Sequence, residues 1–394
     1  MRRIALVTGI AGVVAAAGAR RPLLRRWPVS IAQAAPCLPA SEAPGVLTAV
    51  HAAIGVAAFL RGGVAGPLAS AAAVAALAGL RGDADRSAAV LADALAPLGD
   101  PAPQPASGRL VAGRVARRRY LRAADVAYGD DRAQRLDVWA RADLDPAGRA
   151  PVLVQVHGGG WTGGSRTMSA SPLMAYLAER GWVCVTVDYR LGPDHRWPAM
   201  IVDVKRAIAW VKEHIADHGG DPGFVTISGG SAGGHLASLA AVTAADPEFQ
   251  PGFTETDTSL AAAVPLYGVH DFSADEYGLH RTLEKSVFGT RQVEDTDRWR
   301  RASPLRRADR TAPPFLLVHG SADTVVSVGQ SRRFAQRLRE ASEQPVCFAE
   351  LPRAQHSFDE FPTARTGHTV RAVHRFLTVI HERYRAAAPA ESRA

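Results

Sequence analysis

The segment FVTISGGSAGGHL (Phe224–Leu236) sets the strongest limit on what this chain can fold into. Phe224–Ile227 is a short, β-branched apolar run of the kind that forms a buried strand. Ala232–Ala245 is rich in alanine and leucine, lacks proline and suits a helix. Between them, Gly229-Gly230-Ser231-Ala232-Gly233 matches G-x-S-x-G, a sharp strand-to-helix turn that lifts a serine into the open. Side chains on the flanks of so tight a turn would clash, and the serine itself takes a strained backbone conformation. Its hydroxyl then lies at a helix start, where the partial positive charge favours a developing anion. The pattern alone is common by chance; the strand before it and the helix after it give it weight.

Further strands frame this turn. Pro151–Val156, Trp182–Val187, Leu260–Leu266, Phe315–Val318 and Val346–Leu351 are apolar runs of strand length, and Ile201–Ile215 carries a helical stripe of apolar residues. Strands alternating with helices predict an α/β fold with a mostly parallel sheet flanked by helices. In such sheets chemistry gathers at the carboxyl ends of the strands. A serine nucleophile needs a base, and the base an orienting carboxylate. Asp323 follows the Phe315 strand and His356 follows the Val346 strand, in the order Ser, Asp, His expected of α/β-hydrolases. Each taken alone would pass for a turn carboxylate or a loop histidine; the ordered set predicts a catalytic triad. Asp359, close to His356 in sequence, is expected to matter little by comparison. His157-Gly158-Gly159-Gly160 follows the Pro151 strand, where bare backbone N–H groups can approach a substrate oxygen, and the Ala232 amide should supply another donor. The run lacks the spacing and lysine of a P-loop.

The first 130 residues differ in kind. They hold 15 arginines and 7 acidic side chains, whereas residues 131–394 hold 31 basic and 31 acidic side chains, so the net charge of +8 belongs to the N-terminal portion. A nucleic-acid enzyme would carry a basic stripe on its working domain instead. Ile4–Ala19, Gly45–Leu60 and Val64–Leu80 are Ala/Gly-rich apolar stretches without acidic or basic side chains, at the short edge of what spans a bilayer. A secretory signal and a soluble helical cap are alternatives; membrane association is favoured. Keeping the arginines cytoplasmic favours a hairpin of the second and third stretches. PLGDPAPQPASG (97–108) reads as a semi-rigid linker. The expected organisation is therefore residues 1–96 as an apolar helical region, 97–108 as linker and 109–394 as the catalytic domain. Cys37, Cys184 and Cys347 lie far apart and suggest neither a disulfide framework nor a metal site.

HGGGW at 157, DYRLGPDHRWPAMIVDV at 188, GGSAGGHLA at 229, HGSADTVVSV at 319 and AQHSFD at 354 resemble, in order, blocks of the hormone-sensitive-lipase-like esterases of the α/β-hydrolase fold. The resemblance covers residues of about 120 to 384. It implies Ser231, Asp323 and His356 as triad and Gly158, Gly159 and Ala232 as oxyanion hole. Asp188-Tyr189-Arg190 and Pro198 are then supports of the site. The apolar N-terminal region departs from the family's usual cap and is closer to membrane-associated bacterial carboxylesterases. The implied activity is hydrolysis of short- to medium-chain acyl esters through an acyl-enzyme, with no metal or organic cofactor and no nucleic-acid partner. An amide-bond hydrolase of the same fold, arylformamidase-like or a peptidase, is the alternative; a non-catalytic binding protein of the fold is a third. Aromatic residues between 269 and 310 (Phe272, Tyr277, Phe288, Trp299) are expected to form either a lid or substrate wall, or a surface helical excursion.

Overall fold

The computed structural model describes residues 2–22, 24–99, 110–168, 171–244 and 246–387. Its centre is an eight-stranded sheet of β1 (Leu121–Ala127), β2 (Arg135–Trp139), β3 (Ala150–Val156), β4 (Val183–Val187), β5 (Gly220–Gly230), β6 (Ala262–Leu266), β7 (Phe315–Gly320) and β8 (Val346–Leu351), in the order β1-β2-β4-β3-β5-β6-β7-β8. From β4 to β8 the pairing is parallel, with Val154 beside Val185 on one side and Ile227 on the other. β1 and β2 pair antiparallel and close one edge. The mostly parallel sheet expected from the apolar runs is present, and the antiparallel edge adds to it.

Both faces of the sheet are covered, which is why its strands are continuously apolar. Val152, Val154 and Val156 of β3 point into one core layer with Ile201, Val204, Ile208 and Val211, the buried stripe of α8 (Ala199–His214). Leu153 points the other way, into a second layer with α7 (Ser171–Glu179) and α14 (Ala364–Ala387). Each fully buried aliphatic side chain of this kind contributes roughly 1.5–3 kcal/mol. Between β6 and β7 run three short α-helices, α10 (His280–Leu283), α11 (Thr296–Arg301) and α12 (Pro304–Arg307). The aromatics of this excursion mostly face inward. Phe288 stacks on Trp299 with ring centroids 4.1 Å apart, and Phe272 packs edge-on against Phe288. Only Tyr277 of the four lies outside the core cluster.

The N-terminal portion forms α1 (Arg2–Arg20), α2 (Val29–Glu42), α3 (Pro44–Phe59), α4 (Ala65–Ala78) and α5 (Gly82–Ala94). The second and third apolar stretches become α3 and α4, which turn back on one another and pack, while α1 packs against α4. Small residues make these contacts possible: a Cβ on Gly9 would lie 2.5 Å from the Ala69 carbonyl carbon, and one on Gly55 2.9 Å from the Ser70 Cβ. The large side chains point outward instead, with Val7, Val14, Val46, Phe59 and Leu68 exposed by 64 to 67 %. That inverts the ordinary arrangement of a water-soluble bundle. α1, and the stretch Ala65–Leu98 that includes α4 and α5, are long and apolar enough to cross a membrane by length and composition; α2 and α3 together form a pair bent by 94°.

α5 behaves differently. Leu91 of α5, with Leu95 and Leu98 of the turn that follows it, enters the core layer shared by α14 and β8. Most of the Pro-rich stretch, 100–108, lies outside the described residues. The leucines that precede it have their partners in the sheet layer.

Candidate active site

The turn after β5 begins with a backbone constraint. Ser231 sits at φ 58° and ψ −120°, a region that side-chain-bearing residues rarely occupy, between the last residue of β5 and the first of α9 (Ala232–Val242). Its N–H donates to the Leu266 carbonyl of β6 at 3.0 Å, which ties the strained residue to the neighbouring strand. Gly229 and Gly233 face each other so closely that a Cβ on Gly229 would lie 2.4 Å from the Gly233 carbonyl oxygen. No larger residue fits at either position without moving backbone.

The loop after β3 lies against this turn. A Cβ on Gly158 would sit 2.9 Å from the Gly230 carbonyl oxygen and 3.3 Å from the Ser231 Cβ. Among the described residues, the amides of Gly158 and Gly159 donate to no group of the chain. The loop is held from behind: Tyr189 Oη donates to the His157 carbonyl at 3.0 Å, and the His157 and Tyr189 rings stack at 4.3 Å. Burial pushes the His157 ring below its ordinary pKa, so it is neutral, and Nδ1–H donates to the Gly158 carbonyl at 2.7 Å. Its Nε2 is 3.7 Å from Asp188, too far for a hydrogen bond. Asp188 instead pairs with Arg166, and Arg190 grips the buried Asp203 through Nε and Nη2 at 2.9 and 2.8 Å. These residues support the loop and its strand end.

The loops after β7 and β8 bring Asp323 and His356 together. Asp323 Oδ2 lies 2.7 Å from His356 Nδ1, and its Oδ1 accepts the backbone N–H groups of Val325 and Val326, each at 2.8 Å. Burial alone would raise the Asp323 pKa; the adjoining His356 and His319 outweigh it and hold the carboxyl well below its usual range. His319, at the end of β7, approaches Asp323 Oδ2 at 3.3 Å while its Nδ1 lies 2.8 Å from Ser331 Oγ. Gln355 Oε1 accepts from the amides of both Thr324 and His356, at 2.8 and 2.9 Å, and so joins the two loops.

Tyr267, which sequence reasoning did not single out, links serine turn to histidine loop. Its hydroxyl is 2.7 Å from where a Gly230 Cβ would be, and its ring centroid lies 4.7 Å from that of His356. It donates to Asp359 Oδ1. Asp359 is therefore a buried partner in the site's wall rather than a bystander beside His356. Burial raises its carboxyl pKa, and burial with the Asp359 carboxylate raises that of Tyr267. The positive φ of Tyr267, 39°, is the local mark of this sharp turn.

His235, in the motif's tail, does other work. Trp161 Nε1–H donates to its Nδ1 at 3.1 Å, so its proton is on Nε2, which donates to the Ala302 carbonyl at 2.8 Å. Burial lowers its pKa to about 4, and the ring is a neutral pin between α9 and the excursion. A pocket lies between that excursion and the segment that follows β7. Val269, Phe272, Leu279, Leu283, Val325 and Val326 supply its apolar lining, the last two being the residues whose amides hold Asp323. Part of the excursion thus forms a wall near the Asp323 loop, although its aromatics are mostly core. No cluster of metal-ligating side chains occurs among the described residues, and the three cysteines are buried and unpaired.

The chain matches the BD-FAE family model over residues 136–338. It is 49 % identical over 269 residues to the probable carboxylic ester hydrolase LipM of Mycobacterium tuberculosis, covering 67 % of this chain and 62 % of LipM. It is 44 % identical over 284 residues to esterase LipC of the same organism, covering 71 % and 70 %. The chain thus spans less than two thirds of LipM's length. Among solved structures, Thermogutta terrifontis esterase 2 phosphonylated by sarin superposes with a TM-score of 0.55 at 28 % identity, over 66 % of this chain and 93 % of that one.

Proposed function

Because this chain belongs to the BD-FAE family of α/β-hydrolases, we propose that it is a serine carboxylic-ester hydrolase acting through an acyl-enzyme. The observation that carries this reading is the 2.7 Å contact between Asp323 and His356, on loops that follow adjacent strands beside the Ser231 turn. Two further facts support it. The relatives are named as ester hydrolases, and a solved neighbour of the same fold is phosphonylated by sarin.

In this reading Ser231 Oγ attacks the acyl carbon as His356 Nε2 takes its proton. The Gly158, Gly159 and Ala232 amides receive the oxyanion, each donor being worth roughly 3 kcal/mol in the transition state. Collapse expels the alcohol, which takes the proton back from His356. Water, deprotonated by the same nitrogen, then releases the acid from Ser231. Asp323 stays ionised throughout and keeps the His356 Nδ1 proton in place. His319 and Gln355 hold the acid and base loops in register.

Helices α1, α3 and α4 of the N-terminal portion are assigned to a membrane. Supporting this are the outward valines, Phe59 and Leu68 of α1, α3 and α4, and the small residues at their contacts. Large apolar surfaces of this sort mark a membrane or partner site. The substrate class is a short- to medium-chain acyl ester reached at the bilayer surface. Hydrolysis of acyl esters from C2 to C16, run beside N-formyl aryl amides and short peptides on the detergent-solubilised protein, tests the assignment. Turnover of the amides in preference to every ester would replace it.

A further inference from the structure

We propose that α2 is a clamp that positions the acid and base loops of the triad, with Glu42 as the residue that sets the histidine loop. This rests on the serine-hydrolase reading above. α2 touches the acid loop directly at its start and reaches the base loop at its end through Arg365 of α14. At its start, the Ser30 carbonyl accepts from Thr324 Oγ1 at 3.2 Å, and Thr324 adjoins Asp323. At its end, Glu42 ion-pairs with Arg365, whose Nη2 donates to the Pro352 carbonyl at 3.1 Å and whose Nε donates to Ser87 Oγ at 3.2 Å. Pro352 opens the segment that leads to His356. Beside it, Arg353 at φ 52° donates from its N–H to Ser321 Oγ at 2.9 Å and approaches Asp83 of α5 at 3.3 Å.

The Glu42–Arg365 pair is what makes this more than ordinary packing. The side chains are 3 % and 1 % exposed, and the partners are 323 residues apart in the chain. Burying two charges costs several kcal/mol each before their attraction offsets it, so an apolar pair would hold these helices together as well. Charges instead fix direction. With Glu42 on one side, the planar Arg365 fork delivers a donor to one particular carbonyl, that of Pro352. Through Gln355, which accepts from both Thr324 and His356, the two ends of α2 act on one connected unit. Because α2 packs against α1 and α3, the helices assigned to the membrane are thereby linked to the geometry of the base.

The test uses the full chain in detergent, with active sites counted by a fluorophosphonate so that kcat refers to competent folded protein. Glu42→Gln should lower kcat by about 10²-fold, as a displacement near 1 Å of a catalytic group does, with KM for a short p-nitrophenyl ester changed by less than about twofold. Glu42→Asp, which keeps the charge, should recover most of the rate. Glu42→Met with Arg365→Met removes the pair without stranding a charge, so it should fold even if Glu42→Gln does not. It should keep its melting temperature and still be slow. Wild-type kcat per titrated site in that double variant overturns the clamp. So does a Glu42→Gln variant that folds and turns over within about twofold of wild type. A wild-type chain that does not react at Ser231 overturns the hydrolase reading, and the clamp with it.

Discussion

Asp323 Oδ2 lies 2.7 Å from His356 Nδ1, and the same carboxylate takes two backbone N–H groups on its other oxygen. Its fixed orientation and depressed pKa mean that it carries its charge through the whole working range of pH. Asp323→Asn should therefore lower kcat by about 10⁴-fold, because the amide favours the wrong histidine tautomer. Covalent trapping by a phosphonate should persist at a slower rate. Stopped-flow labelling beside steady-state assays checks both; an activity within tenfold of wild type would remove Asp323 from the triad.

Gly158 offers a test of the proposed oxyanion site that leaves the proposed triad untouched. In Gly158→Ala the new methyl would meet the Gly230 carbonyl at 2.9 Å and the Ser231 Cβ at 3.3 Å. The loop must shift, and its amide with it. A loss of about 10²–10³ in kcat is expected, with little change in melting temperature. Unchanged turnover would place the oxyanion elsewhere.

Tyr267 and Asp359 should matter to stability more than to chemistry. Tyr267→Phe leaves the buried Asp359 carboxyl without its donor, which costs about 1–3 kcal/mol. The ring that packs on His356 remains, so kcat should fall only a few-fold. Urea denaturation and kinetics on the same sample separate the two effects. A rate loss like that of Asp323→Asn would make the hydroxyl part of the machinery.

Acid sensitivity follows from the neutral, buried His235, whose pKa is lowered to about 4 against roughly 6.5 in an unfolded chain. The unfolded state binds the proton first, so stability is full above about 6.5 and falls as pH drops toward 4, by about 3 kcal/mol for this residue. His374, also lowered to about 4 by burial, acts in the same direction. Denaturation midpoints measured from pH 7 to 4 should fall, and His235→Gln should flatten the fall by one proton's worth. An unchanged slope would mean that His235 titrates normally.

The N-terminal helices should keep the full chain with membranes in 1 M salt and release it to detergent, since apolar insertion is not screened as charge is. Removing residues 1–108 should not give a soluble active body. It strips Leu91, Leu95 and Leu98 from the core and leaves Arg365 without Glu42. Flotation and size-exclusion measurements decide; a monodisperse, active 109–394 fragment would show that these contacts are dispensable.

What could be read from the sequence followed the strength of local signals. Val152–Val156 and Val183–Val187 are apolar throughout because both faces of their strands are covered, and periodicity finds such runs. β1 carries no such signal because Leu121–Ala127 is a largely exposed edge with charged residues, and β2 because its Asp137 is buried through partners distant in sequence, Arg117, Arg166 and the Asp125 amide. That Asp323 and His356 would meet could be read from their order and their positions after strands. Tyr267 could not, since nothing near it in sequence announces that its ring would lie between Gly230 and His356. Phe272, Phe288 and Trp299 likewise carry no local mark of facing the core. The Glu42–Arg365 pair depends on packing between distant segments, which no spacing encodes.

The central claim is that Ser231 is the nucleophile. Treating the detergent-solubilised full chain with a serine-reactive organophosphonate, then locating the adduct by peptide mass spectrometry, tests it directly. One adduct on Ser231 is expected, absent in a folded Ser231→Ala variant whose ester hydrolysis falls by about 10⁶-fold. An adduct on another serine, or ester hydrolysis retained in Ser231→Ala, would contradict it.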